Sequence, residues 1–413
     1  MRRVCVVTAG QLSTCPRMLK AADAFHDAGY TVRVISTRTH GWTTSADTAV
    51  AAAREWTWRV VNYDRTEATT TWLRSGARHK AARAFASMLT SVPPSVATLA
   101  FARVHRELVD AILEVPADFI YGGTTGAVAA VAEAGRRSGA PFAVDFEDFH
   151  CAEHEPSPEG TLSNTLGGVV MRWSAEGAAF VTAGSRAIAD ACRSELAIDA
   201  FAVNNVFALP ASDPADDRHG SSTAPFAVYW FSQTIGANRG LEDVIHALGL
   251  TARPASLTLR GCAAPGYVEY LRALAASVAP RLDVDIVAPA PPASMVDACR
   301  MFDLGVSAEQ GHIRNRQLNL PNKATTYPLA GVPVALTDTP GQRPLADDLG
   351  VGGLVFAPGD HEMLARRIVP LMTDASLRAA ARAASWHAAR SRWHWEHAQE
   401  RGALLAAVAK AVA

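Results

Sequence analysis

Short unbroken apolar runs alternate along the chain with stretches whose apolar residues recur every third or fourth position. Val4–Ala9 is the first such run, and it suits a strand covered on both faces. A loop follows, Gly10-Gln11-Leu12-Ser13-Thr14-Cys15-Pro16. Met18, Leu19, Ala22 and Phe25 then repeat at helical spacing until Gly29, and Thr31-Val32-Arg33-Val34-Ile35 reads as a second strand. This βαβ opening predicts a parallel sheet with helices on both faces. Further strands are expected at Trp58–Val61, Phe119–Tyr121, Phe142–Asp145 and Phe180–Ala183, with a helix over Ala127–Arg137. Val203-Asn204-Asn205-Val206 closes this half.

A Pro/Asp/Ser/Gly stretch, Leu209–Asp217 and Gly220–Thr223, reads as a linker. A second series starts with a strand at Ala227–Phe231, a polar loop Ser232–Gly240 and a helix over Leu241–Leu248. Strands are then expected at Ser256–Gly261, Val284–Ile286, Leu304–Val306, Val332–Ala335 and Gly353–Phe356. The tail from Ser385 to Ala413 reads as helical. The expected fold class is therefore α/β with two Rossmann-like halves. The boundaries are 1–208, a linker at 209–225, 226–384, and a helical segment at 385–413 packing back on the first domain.

Composition narrows the function. Of 413 residues, 49% are hydrophobic and 19% charged, which excludes a mainly disordered chain. A net charge of -1 supplies no basic field, so no nucleic-acid partner is expected. The six cysteines form no C-x-x-C pair, so a zinc ribbon is not expected and the thiols should be reduced and at least half-buried. The apolar run at Val4 is too short for a signal peptide, and no stretch approaches the ~20 apolar residues of a spanning helix. The expectation is a cytoplasmic protein, either soluble or peripheral on the inner face of the membrane.

Open α/β sheets bind ligands beyond the carboxyl ends of their strands, which makes the following loops informative. G-x-G-x-x-G is missing from the first loop and a P-loop from the whole chain, so a dinucleotide dehydrogenase and a P-loop nucleotidase are disfavoured. Arg239-Gly240 lies at a helix start, where a guanidinium beside free N–H groups suits a diphosphate. Lys323, from another strand end, would be the second cation on that diphosphate. Two facing halves would enclose a cleft for a small molecule.

Two other clusters have a bland and a sharp reading. His150 and His154 with Glu147, Glu153 and Glu155 have a ligand-like spacing, but Pro156 and Pro158 follow and H-E-x-x-H is missing. A polar acceptor loop is preferred and no metal is expected. The stretch Trp72–Arg83 is basic and holds no acid, so it is either a solvated helix or a surface for anionic lipid or a lipid-diphosphate.

Three stretches of the second half resemble GT-B glycosyltransferases, specifically the large retaining group called glycosyltransferase family four. They are Trp230–Glu242 with its Gly loop and Arg-Gly, Asn319-Leu320-Pro321-Asn322-Lys323 running on to Gly331-Val332-Pro333-Val334, and Thr337–Gln342 followed by Gly353–Asp360. The second is similar to the N-x-x-P-N-K variant of polysaccharide enzymes. Gly10–Arg17, Asp145-Phe146-Glu147-Asp148, Ala183-Gly184-Ser185 and Trp395-Glu396 agree with the family elsewhere, so the resemblance covers nearly the whole chain.

The resemblance implies hexose transfer from a nucleotide-diphosphate sugar to a glycan or lipid-linked acceptor in cell-surface polysaccharide or glycoconjugate synthesis. It also implies retention, no metal, and no cofactor beyond the nucleotide sugar. Gly10, Arg239, Glu309, Asn319, Asn322, Lys323 and Thr326 would bind the donor. Glu147, Asp148 and His150 would be the catalytic or acceptor-side groups, with Gly10 letting the backbone approach the donor. The family's paired glutamates, aligned through Gly331-Val332-Pro333, fall on Leu318 and Thr326, and neither is acidic. That substitution leaves open a binding module without turnover.

Overall fold

A computed structural model describes residues 1–214 and 224–413. The expected linker, 209–225, lies partly outside them. The chain forms two compact units. The first holds Met1–Asn204, Ile313–Asn315 and Ala398–Ala413, and the second holds Asn205–His312 and Arg316–His397.

The first unit is built on seven strands: β1 (Arg3–Thr8), β2 (Thr31–Arg38), β3 (Thr57–Asn62), β4 (Phe119–Gly123), β5 (Phe142–Phe146), β6 (Phe180–Ala183) and β7 (Phe201–Ala202). Their order is β3-β2-β1-β4-β5-β6-β7, and every pairing is parallel. The central strands are buried along their length, which is why they read as continuous apolar runs. Helices cover the sheet. Pro16–Asp27 turns Met18, Leu19, Ala22 and Phe25 inward, at the spacing read from the sequence.

The second unit holds β8 (Phe226–Ile235), β9 (Ala255–Ala263), β10 (Leu282–Val287), β11 (Leu304–Ser307), β12 (Val334–Thr337) and β13 (Gly353–Phe356). Their order is β10-β9-β8-β11-β12-β13, again all parallel. Its core joins Val228, Trp230, Leu257, Leu259, Leu304 and Val306 to Leu241, Val244, Ile245 and Leu248 of the helix Leu241–Leu250. Asp303 immediately precedes β11, and its Oδ2 accepts from the Ala227 N–H at 2.8 Å.

Three expectations are corrected. The loop expected at Ser232–Gly240 begins only after Ile235, because β8 resumes its pairing with β9 beyond an irregularity between Phe231 and Thr234. The three consecutive polar residues Ser232-Gln233-Thr234 hid that extension, since the end of a strand that leaves the core needs no apolar face. The tail 385–413 is divided. Helix Ala375–Ser391 and the residues through His397 belong to the second unit, where the Trp393 indole donates to Asp348 at 2.9 Å. Only Ala398–Ala413 joins the first unit, with the Glu400 carboxylate accepting from the Asn204 side chain at 2.7 Å. Finally, all six cysteines are free, but Cys262 is exposed rather than half-buried.

Candidate functional site

In each sheet the strand order reverses once, between β1 and β4 and between β8 and β11. The carboxyl ends of such a pair leave a crevice where helices depart to opposite faces, and ligands gather there.

The second unit fills its crevice with charge. Arg239-Gly240 follows β8, and Glu309 follows β11 by two residues. The two strand ends touch. Gly240 has φ +69°, and a Cβ there would lie 2.3 Å from the Ala308 carbonyl oxygen. Only glycine meets both demands. The Lys323 Nζ donates to Glu309 Oε1 at 2.6 Å, and Arg316 stands 3.9 Å from Glu309 Oε2. Lys323 and Glu309 are 7% and 5% exposed, so their charges face little solvent. Burial alone would push the Glu309 carboxyl up. The charge and hydrogen bond of Lys323, with the fields of Arg239 and Arg316, reverse this and hold it below the usual carboxylate range.

Secondary contacts fix these groups. Arg316 donates to the Asn238 carbonyl, Gln310 donates to Asp243 at 2.7 Å, and Lys323 lies 5.5 Å from the Trp230 ring centre. The helix Leu241–Leu250 starts at Gly240, so its first N–H groups open at this point without a side-chain cap. An open hollow of about 560 Å³ borders the cluster, lined by Gln310, Gly311, His312, Gln317, Asp338, Thr339, Pro340 and Pro358. Thr339 is buried, and its hydroxyl has no partner among the described residues.

The structure thus brings Arg239, Glu309 and Lys323 together. Asn322 is the first residue of the helix Asn322–Leu329, one before Lys323, and its carbonyl accepts from Thr326 Oγ1 at 2.7 Å. Thr326 is fully buried, so it supports the Lys323 helix and offers no open surface to a ribose. Leu318 is also buried, 3% exposed, and packs as an apolar residue. Asn319 precedes the same helix and lies near the Gly341 turn, where a Cβ on Gly341 would be 2.3 Å from the Asn319 carbonyl.

The first unit holds a second cluster, beyond β5. The Arg17 guanidinium grips both Asp145 oxygens at 2.6 Å in the interior, 6% and 0% exposed. Glu147 follows, half-buried, and burial above all pushes its carboxyl up to about 7, with the charges of Asp148 and Asp145 adding to the rise. Burial also raises Asp148, whose Oδ1 accepts from Asn315 Nδ2 at 2.8 Å. His150 is 1% exposed, with Nδ1 3.0 Å from Glu153 Oε2 and its ring packed edge-on against Phe101 and Phe146. Burial opposes charge on this ring, yet Glu153, Asp148 and Asp145 raise its pKa.

Within this cluster, Glu147 and Asp148 keep partial access, while His150 is buried against Glu153. Gly10 also has a local task. A Cβ there would sit 2.2 Å from Cys15 Sγ, so the residue is small to admit its own loop. Among the described residues no group of three His, Cys, Asp or Glu is placed to hold a metal ion.

Sequence reasoning missed Arg17, Arg316, Asn315 and the hollow. Arg17 sits in the first turn after Pro16, where a cation looks like ordinary helix surface, and its partner Asp145 is far along the chain. The hollow had a signal, because Asp338, Thr339 and Pro340 follow β12 in the Thr337–Gln342 run.

No protein-family model matches this chain, and no curated protein does. Solved structures similar to it include Anabaena HepE in complex with UDP-glucose, with 18% identity over 99% of each chain and a TM-score of 0.68. Sucrose-phosphate synthase of Thermosynechococcus elongatus is similar at 12% identity over 100% of each chain, with a TM-score of 0.73. Staphylococcus aureus TarM, solved with UDP, is similar at 10% identity over 100% of each chain, with a TM-score of 0.70. At these identities the likeness is one of fold: the chain has the GT-B fold, two Rossmann-like units in succession, that the motif order implied.

Proposed function

We propose that this chain is a glycosyltransferase that moves a hexose from a nucleotide-diphosphate sugar to a glycan or lipid-linked glycan, in the synthesis of a cell-surface polysaccharide or glycoconjugate. One observation carries the reading. Arg239, Lys323 and Arg316 gather on Glu309 at the switch point of the second sheet, beside an uncapped helix start. That arrangement fits a diphosphate, whose leaving charge Arg239 and Lys323 neutralise. The neighbours HepE and TarM, solved with UDP-glucose and UDP, support the choice of donor class.

In this reading the hollow beside Glu309 takes the sugar end of the donor. Its volume lies within the range of small-molecule sites, and Gln310, Gln317, Asp338 and Thr339 offer the hydrogen bonds a hexose needs. The acceptor meets Glu147 and Asp148, whose carboxyls hold its hydroxyls, and because burial pushes Glu147 up to about 7 that hold changes with pH near neutrality. The transfer proceeds with retention, as in the family the motifs resemble, and the cations of the chain take the part a metal would otherwise play.

The test is calorimetric binding of a panel of nucleoside diphosphates and their sugars, followed by a transfer assay. Arg239→Ala is expected to weaken every nucleoside diphosphate by roughly ten- to a hundredfold, the worth of one charge-assisted contact. Unchanged affinity moves the phosphate site elsewhere. A second reading, a module that binds donor without turnover, is favoured by the buried Leu318 and Thr326 where the family has glutamates. Tight binding with no transfer to any acceptor would decide for it.

A further inference from the structure

The charges gathered beyond β8 and β11 are not equally engaged. The Lys323 ammonium donates to Glu309 Oε1 at 2.6 Å, with both side chains nearly closed to solvent. Arg316 donates to the Asn238 carbonyl and stands 3.9 Å from the other oxygen of Glu309, Oε2. Arg239 is half-buried, and among the described residues it has no hydrogen bond or ion pair. An anion entering this site therefore finds Arg239 open and Lys323 taken.

A diphosphate and the Glu309 carboxylate cannot both hold that ammonium. Two like charges in a site with little solvent repel strongly, so one must yield. Lys323 is fixed in the helix Asn322–Leu329, with its Nζ 5.5 Å from the Trp230 ring centre. Glu309 lies between β11 and the short helix Arg314–Leu318, in neither strand nor helix. It also has Arg316 beside it as a second cation, so a small rotation would give its charge another partner.

We propose that Glu309 is an internal competitor for Lys323: an arriving diphosphate displaces its carboxylate, which turns onto Arg316 while Arg239 and Lys323 close on the phosphates. The inference rests on the diphosphate reading of this site and reverses the part expected of Glu309, which opposes the donor instead of binding it. The carboxylate keeps a buried ammonium charged and in place until a stronger anion takes it. Because a monoanion brings no more charge than Glu309 already supplies, the exchange favours a ligand with several charges.

The test is calorimetric titration of the full chain with inorganic pyrophosphate and with uridine diphosphate. Glu309→Gln should bind both about tenfold more tightly than wild type, since one charge-assisted contact no longer has to be broken. Adding Lys323→Met to Glu309→Gln should abolish the gain. Asp243→Asn removes a neighbouring carboxylate, the one that accepts from Gln310 at 2.7 Å, and leaves Lys323 alone. It should change affinity by less than about threefold. Should Glu309→Gln fail to fold, Glu309→Asp carries the test: it keeps a charge in the interior, draws it back from Lys323, and should bind about threefold more tightly. Equal or weaker binding by the Glu309 variants would overturn the proposal and make Glu309 a positioning group for Lys323. An equal gain from Asp243→Asn would also overturn it, reducing the effect to net charge. Arg239→Ala separates this inference from the site itself. If that change weakens pyrophosphate while the Glu309 variants do not tighten it, the diphosphate site stands and the competition falls; no binding of either ligand by any form overturns both.

Discussion

Lys323→Met removes one half of the Glu309 pair and leaves a carboxylate in the interior. The two side chains are 7% and 5% exposed and meet at 2.6 Å, so solvent cannot rescue the survivor. Breaking such a pair costs about 3–5 kcal/mol. Arg316 remains 3.9 Å away and Arg239 still adds its field, which favours the lower end, about 3 kcal/mol. With a urea dependence of about 2 kcal/mol per molar, the midpoint for the second unit should fall by about 1.5 M. Hydrogen exchange in β8 and β11 reports that unit directly.

Glu309→Gln should cost a similar amount by stranding the ammonium, while the double variant should recover most of it. Acid supplies a further check. The Glu309 carboxyl is depressed in the folded protein, so its contribution is complete above its unfolded value and disappears as pH falls through the folded one. The wild type should therefore converge on Glu309→Gln in acid, where its protonated carboxyl leaves the same ammonium stranded. Additive single changes, or a shift under about 0.3 M for Lys323→Met, would refute the claim that these charges stabilise one another.

Glu147→Gln should remove a limb near pH 7 from the kcat/KM profile of the transfer reaction, since burial holds that carboxyl at about 7. Its folded pKa is raised, so deprotonation above neutrality costs stability, and the variant should melt higher than wild type at pH 8 than at pH 5, relative to each. Gly240→Ala should destabilise the loop before the helix Leu241–Leu250 by at least about 1 kcal/mol and weaken nucleoside diphosphate binding, because its φ is +69° and the new Cβ would strike the Ala308 carbonyl. Calorimetry and urea titration read both effects. Arg17→Met should cost the first unit about 3 kcal/mol in urea unfolding by stranding Asp145, and Arg17→Met with Asp145→Leu should cost less.

The sequence by itself determined the sheets. Parallel strands buried on both faces must be short apolar runs, so Val4–Ala9, Phe119–Tyr121 and Phe180–Ala183, with Ala227–Phe231 and Leu304–Val306 in the second unit, show without partners. Where a strand leaves the core, as β8 does after Phe231, its residues turn polar and the signal stops. The order of loops after those strands was enough to pick Arg239, Lys323 and Glu309, since each follows or precedes a legible element. Tertiary structure decided which of these side chains meet. Glu309 and Lys323 are separated by a loop and a short helix, and Arg17 finds Asp145 across the sheet from the far end of another βα unit. It also decided that His150 and Thr326 are buried and that Gly10 yields to Cys15. Local pattern records what each residue must hide from water; the identity of a charge's partner depends on strand order, which no local pattern contains.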